Sequence, residues 1–378
     1  MQPGRRGSAA GPFAYNGLLH CRWVLFILHL VGNATKHSQW GRDSVIRIAV
    51  DAMGGDNAPE AIVAGVVNAI AHNEELQVTL VGPETVIRPL LPAEGGERIT
   101  LLHAEEVIHG EDEPLVAIRK KRKATMLVAL DLLKAGEVDA AVSAGNTGAF
   151  MSGALFYVGR IKGIQRPALA PLLPTMTGSA LLIDCGANAD CKPEFLLQFG
   201  QMGSVYMQKV MGVAQPRVGL LNNGAEEDKG SAMHKEAHQL LKASGLRFHG
   251  NVEGRDALDG NVDVIVADGF TGNVFLKAAE GVSMFLFALL KEQLGANLKR
   301  KLGTALIYDG LRAVKRKLDY TEYGGSLLLG IDGVVVKAHG SSNAKAFESA
   351  LKQAMDAVRK DVVGSIRQSL EQSLQQDS

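Results

Sequence analysis

The sequence predicts an α/β protein whose mostly parallel sheet is sandwiched by helices, and three observations predict it. Short β-branched runs alternate with helical stretches, and nearly every run ends in a glycine turn that opens the next helix. No Pro/Ser-rich linker interrupts the series between Val45 and about Met355. Strands joined through helices pair in parallel and are covered on both faces. With 378 residues, 46% of them apolar, the chain can build a large core, so residues 45–356 are taken as one intertwined unit.

The elements follow in order. Val45 to Val50 is a β-branched run ending in Asp51; Gly54-Gly55, the cap candidates Asp56 and Asn57 and then Pro59 start a helix reaching about Ala71. Gln77–Val81 and Ile99–His103 are further strands. Pro114 opens a long helix through Arg119-Lys120-Lys121-Arg122-Lys123 to Gly136. Val138–Ser143 runs into Gly145-Asn146-Thr147-Gly148, and Leu181–Asp184 into Cys185-Gly186-Ala187-Asn188. Arg217–Leu221, Val262–Ala267 and Gly333–Lys337 are strands with the same kind of turn behind them. Residues 357–378 read as a polar helical tail.

Composition excludes several classes. Forty basic side chains oppose forty acidic ones, which argues against a whole-protein nucleic-acid binder. Three cysteines cannot form a disulfide framework, so a reducing cytoplasm is expected. There is no Walker loop and no G-x-G-x-x-G in the first turn, so neither nucleotide fingerprint is present. With no H-E-x-x-H, and with Cys185 and Cys191 lacking zinc-site spacing, no metal and no cofactor are expected. Each thiol reads as a buried side chain; Cys191 beside Lys192 has an activated nucleophile as its alternative.

The balanced charge conceals two basic segments. Residues 1–42 carry five basic residues and no acid; the short apolar run Trp23–Val31 imitates a signal sequence but is well below the ~20 residues of a membrane span. Residues 1–44 are expected to be an extension outside the fold. Lys291 to Lys317 holds eight basic and two acidic residues, with Leu294, Leu298, Leu302 and Leu306 at helical spacing. This basic amphipathic region, 282–318 at its widest, suits an anionic membrane face or an acidic carrier protein, and equally a subunit contact. Lys299, Arg300, Lys301, Lys315, Arg316 and Lys317 are its candidate contacts.

In an open α/β sheet, ligands bind at the strand carboxyl ends, where helix amides are free. Gly145, Asn146, Thr147 and Gly148 form the sharpest such turn and suit phosphate or an oxyanion; as an isolated motif it also fits an ordinary capped turn. Arg160, Arg166, Lys192, Lys229 and Lys277 are the nearby cations. Ala338-His339-Gly340-Ser341-Ser342 closes another strand, with an imidazole that serves equally as acid, donor or cap.

Taken in order, Val50–Asp56, Ser143–Ala149, Arg166-Pro167-Ala168, Asp184–Asn188, Leu220-Leu221-Asn222, Lys229-Gly230, Gly250–Gly254, Asp268-Gly269-Phe270, Gly272-Asn273-Val274, Tyr323-Gly324-Gly325 and His339–Ser342 resemble the PlsX family, the acyl-ACP:phosphate acyltransferases of bacterial phospholipid synthesis. The match runs from about Ile46 to about Leu351; Lys123-Ala124-Thr125-Met126 departs from it, since an acidic residue and two serines are expected there. The resemblance implies a fold similar to the isocitrate/isopropylmalate dehydrogenases and phosphotransacetylase, and a homodimer. It implies transfer of a fatty acyl group from acyl carrier protein to inorganic phosphate. The acyl phosphate then passes to a membrane acyl-phosphate:glycerol-3-phosphate acyltransferase, and the enzyme is cytoplasmic and peripherally membrane-associated. A phosphotransacetylase using acyl-CoA, a dehydrogenase and a membrane-docked scaffold are the competing possibilities.

Phosphate attack on a thioester needs a held dianion and stabilisation of a transient oxyanion. Gly145 to Gly148 with Arg166 or Lys192 are expected to bind phosphate. The Asp184, Gly186, Asp268, Asn273 and Ser341 turns are expected at the acyl carbonyl, with His339, Asn188 and Lys192 as catalytic candidates.

Overall fold

A computed structural model describes residues 45–92, 96–318 and 324–376. The proposed extension over residues 1–44 and Tyr323 lie outside the described residues. In chain order the strands are β1 Ile46–Asp51, β2 Leu76–Gly82, β3 Ile99–His103, β4 Ala140–Ser143, β5 Ala168–Pro174 and β6 Ser179–Ile183. They continue as β7 Val218–Asn222, β8 Phe248–Glu253, β9 Val264–Val266, β10 Gly325–Leu329 and β11 Val334–Ala338. Apart from single-turn pieces, the helices are α1 Glu60–His72, α2 Pro114–Lys120, α3 Thr125–Ala135, α4 Thr147–Gly153, α5 Pro193–Lys209 and α6 Ala232–Ala243. The remainder are α7 Gly269–Gly295, α8 Leu298–Leu306, α9 Tyr308–Leu318, α10 Ala344–Arg359 and α11 Val362–Gln376.

One sheet contains all these strands, in the order β3-β2-β1-β4-β11-β10-β5-β6-β9-β7-β8. From β3 to β11 every pair is parallel, as is every pair from β6 to β8. Between them the steps β11–β10, β10–β5 and β5–β6 are antiparallel. Three reversals leave the two parallel halves running in opposite directions.

Helices cover both faces. On one, Val50, Val142 and Val336 pack with Phe347 and Leu351 of α10, while Ile183 and Val264 meet Phe199 and Met202 of α5. On the other, Ala141, Val335, Leu182 and Ile265 pack with Met126, Leu127 and Phe150. Gly65 lets α1 cross α10 closely, because a Cβ there would fall 2.8 Å from the Ala344 carbonyl oxygen.

Three strands escape sequence reasoning. β5 contains Pro171 and Pro174, which argue against a central strand because proline lacks the N–H of the ladder. β10 is a short GSLLL segment, and β8 alternates weakly around Gly250. The long helix expected from Pro114 to Gly136 is broken into α2 and α3. The break forms because the Glu106 carbonyl accepts from Thr125 N at 2.9 Å and its carboxylate accepts from Lys123 N at 3.0 Å. The basic region also divides, into the end of α7, α8 and α9. The polar tail is the solvent side of α11, whose Val362, Ile366 and Leu370 are buried in the core.

Phe347, fully buried between α1 and the sheet, tests this packing. Phe347→Ala is expected to cost about 3–5 kcal/mol of unfolding free energy in urea titration, since the large side chain leaves a cavity.

Candidate active site

A cavity of about 630 Å³ lies along the antiparallel strands, between the β4 and β11 ends and the first half of α7. Leu169, Pro171 and Leu173 of β5 and Leu276, Met284 and Phe287 of α7 make much of its wall apolar. Polar groups gather at its ends.

At one end, β1, β4 and β11 finish side by side. Each puts a polar residue after an apolar run: Asp51 after Ile48-Ala49-Val50, Ser143 after Ala140-Ala141-Val142, Lys337 after Val334-Val335-Val336. Parallel register aligns Val50 with Val142 and Lys337 with Ser143, so the three share one face. Ser143 Oγ donates to Asp51 Oδ2 at 2.6 Å and itself accepts from Gly145 N at 3.0 Å. Met53 N donates to Asp51 Oδ1 at 3.2 Å. Gly54 allows the first turn to close over this cluster, since a Cβ there would come within 2.7 Å of Gly145 N. Burial pushes the Asp51 carboxyl above its ordinary range, against the pull of the Ser143 hydroxyl. Burial also lowers the Lys337 ammonium to about 8, with Asp51 and Asp56 opposing the shift.

At the other end, Asp184 leaves β6 fully buried. It accepts from Leu169 N at 2.8 Å, Ala187 N at 3.1 Å, Asn188 N at 2.7 Å and Asn188 Nδ2 at 3.0 Å. Burial raises its pKa despite those donors. The first turn of α7 presses on this loop: a Cβ at Gly272 would collide with the Asp184 carbonyl, and one at Gly269 would lie 2.6 Å from that of Asn188. Asp268 caps the helix, accepting from Thr271 N at 2.9 Å and Thr271 Oγ1 at 2.7 Å.

Of the residues singled out from sequence, Thr147, Cys185, Gly186, Asn273, Lys277, Lys315 and His339 line the cavity. Others support the backbone behind it. Asn146 spends its amide on the carbonyls of His109, Gly110 and Asp112 and accepts from Ala149 N, so its side chain is a cap and a tether. Gly148 packs against Pro114, and Gly145 against Met126. Asn188 Nδ2 is held by the Pro167 carbonyl at 2.8 Å as well as by Asp184. Ser341 Oγ pairs with His339 Nδ1 at 2.8 Å.

Arg166 and Lys192, the cations expected at phosphate, do not line the cavity, whereas Lys277 does. Arg166 lies over the Phe195 ring, 5.9 Å from its centroid, in a separate groove with Phe156 and Arg160. Lys192 starts α5 and is absent from the cavity wall. Of the proposed surface contacts, Lys315 lines the cavity mouth and Lys317 donates to the Met176 carbonyl at 2.8 Å, both remaining exposed. Burial raises the Cys185 thiol and takes Cys191 up to about 12, the opposite direction from the lowered pKa of an activated thiolate. Among the described residues no three His, Cys, Asp or Glu side chains gather to hold a metal ion.

Sequence reasoning missed Asp51, Ser143 and Lys337 as one cluster. The signal was present, because three strands each end three apolar residues with a polar one.

Residues 46–365 match the family model described as "Fatty acid synthesis protein". The phosphate acyltransferase of Thermoanaerobacter pseudethanolicus is 51% identical over 326 residues, covering 86% of this chain and 98% of that protein. That of Geobacillus thermodenitrificans is 50% identical, covering 87% and 100%. Among solved structures, a phosphotransacetylase from Streptococcus pyogenes superposes with a TM-score of 0.54 at 16% identity, covering 86% of this chain and 94% of that one. The EutD phosphotransacetylase from Staphylococcus aureus gives 0.52 at 13% identity, covering 90% and 98%. At those identities the likeness extends to the fold. The two-ended cavity is thus carried on a phosphotransacetylase-like sheet, and the chain belongs to the phosphate acyltransferase (PlsX) family of fatty acid synthesis proteins.

Proposed function

We propose that this acyltransferase takes a long-chain fatty acyl group from acyl carrier protein and transfers it to inorganic phosphate. The cavity carries this proposal: it combines a long apolar wall with a polar end where Thr147, His339 and Lys337 meet. A volume of about 630 Å³ fits a hydrocarbon chain lying along β5 and α7. Phosphate is already a nucleophile and a thiolate leaves readily, so the protein's task is to hold the two reactants together and shelter the charge that develops on the carbonyl oxygen. The backbone turns fixed by Asp184 and Asn146 give the site its rigidity. The acyl phosphate is reactive and amphiphilic, which suits hand-over to a membrane enzyme that acylates glycerol 3-phosphate.

The outer parts of α7, α8 and α9 support two further assignments. The middle of α7 exposes Val282, Phe285 and Leu289 without a cation among them, which suits burial against a second copy of the chain. α8 combines exposed Leu298, Leu302 and Leu306 with Lys299, Arg300 and Lys301, which suits peripheral contact with an anionic membrane. α7 is long and apolar enough to cross a membrane by length and composition. Its first turn, however, is locked into the loop of Asp184, so a surface role is the one proposed.

Incubation with palmitoyl-ACP and phosphate is expected to give acyl phosphate, trapped as the hydroxamate by hydroxylamine; equal turnover of palmitoyl-CoA would favour a phosphotransacetylase instead. Leu276→Trp narrows the apolar wall and is expected to lower kcat/KM for a palmitoyl donor about tenfold or more relative to a hexanoyl donor. Glutamate at Lys299, Arg300 and Lys301 together is expected to abolish flotation with anionic liposomes; unchanged flotation would remove α8 from the membrane contact.

A further inference from the structure

Every residue of β11 is buried, including its lysine. A buried ammonium is costly unless something compensates it. Asp51 does so only through space, because its bonded partners are the Ser143 hydroxyl and Met53 N. Among the described residues, the hydrogen bond made by Lys337 Nζ goes to the neighbouring Ala338 carbonyl. An ammonium has three N–H groups, so among the described residues this leaves donors at the cavity wall without an acceptor.

The other lysines lining the cavity, Lys277 and Lys315, are exposed, where water and salt weaken their charge. Arg166 and Lys192 are elsewhere. Lys337 is therefore the one buried cation of the cavity among the described residues, and the apolar wall of β5 begins beside it: Lys337 pairs with Ser326, and Ser326 with Pro171.

We propose that the Lys337 ammonium is the cation that holds the phosphate substrate, fixing one of its oxygens toward an acyl group lying along β5. This rests on the acyl transfer proposed above. Hydrogen phosphate binds as the dianion, and one oxygen attacks the thioester carbonyl carbon. The new C–O bond forms as the C–S bond breaks, the bonding pair leaves on sulfur, and the phosphate proton ends on that sulfur. Acyl phosphate dianion and free thiol are the products. Lys337 keeps its proton throughout and acts by charge and by hydrogen bonding.

Steady-state kinetics of the full chain, with phosphate and palmitoyl-ACP varied separately, tests this. Lys337→Met is expected to raise the KM for phosphate about tenfold or more, as loss of a charge-assisted hydrogen bond does. The KM for the acyl donor should stay within about twofold, and Lys337→Arg should recover part of the loss. In the wild type, kcat/KM for phosphate should fall as pH rises through about 8, where the ammonium loses its proton. In Lys337→Arg that alkaline fall should move upward. Asp51, Asp56, Glu280, Lys277, Lys315 and His339 face the same space and are unchanged in both variants.

Thermal unfolding gives a readout independent of turnover. Inorganic phosphate should raise the melting temperature of the wild type but not of Lys337→Met, with Lys337→Gln as the substitute if the methionine variant does not fold. An unchanged phosphate KM in these variants, an equal phosphate-dependent rise in both proteins, or no rise in the wild type would overturn the assignment. A wild type that is stabilised by phosphate through Lys337 yet makes no acyl phosphate would instead overturn the proposed acyl donor.

Discussion

Three antiparallel pairings hold this molecule together. Without β10 and β5 between them, β11 and β6 would end two separate parallel sheets pointing opposite ways. Each half would then have its own row of strand ends, and neither row would face the other. The reversal across β11-β10-β5-β6 makes one continuous sheet, so that a single cavity touches Thr147 and His339 at one end and Gly186 and Asn273 at the other. β5 remains central although Pro171 and Pro174 cannot donate to the ladder, its pairs with β10 and β6 being made around them.

Most of the parallel architecture was legible in the sequence because it rests on local signals. A β-branched run, a glycine turn and a capped helix are written within about thirty residues of each other. The antiparallel bridge was not legible for the opposite reason: β5 and β10 are paired across more than 150 residues and carry prolines, glycine and few β-branched side chains. The broken helix at Lys121–Ala124 failed likewise, since the residue that breaks it, Glu106, lies well upstream.

The site was legible to a similar extent. Glycine turns pointed to strand ends that border the cavity, because conformational freedom is visible in residue type. Side-chain roles were less visible. Asn146, Asp184 and Asn188 look like ligand-binding groups by chemistry, yet in the fold they satisfy buried backbone and hold the loops in shape. Lys337 was concealed inside GVVVK, where it reads as the end of an apolar strand. Only the register with Ser143 and Asp51 gives that position its meaning.

Helix α7 has a role beyond its length. Leu276, Ser283 and Phe287 face the cavity, while Val282, Phe285 and Leu289 turn outward on the same stretch of backbone. Its first turn is clamped to the Asp184 loop, so the inner and outer faces belong to one continuous helix anchored at that end. If an acyl chain occupies the cavity as proposed, it packs on the inner side of the same helix whose outer side a partner would cover. Thermodynamic linkage then makes any effect mutual: a partner that orders the helix from outside would strengthen retention of the chain inside by the same factor.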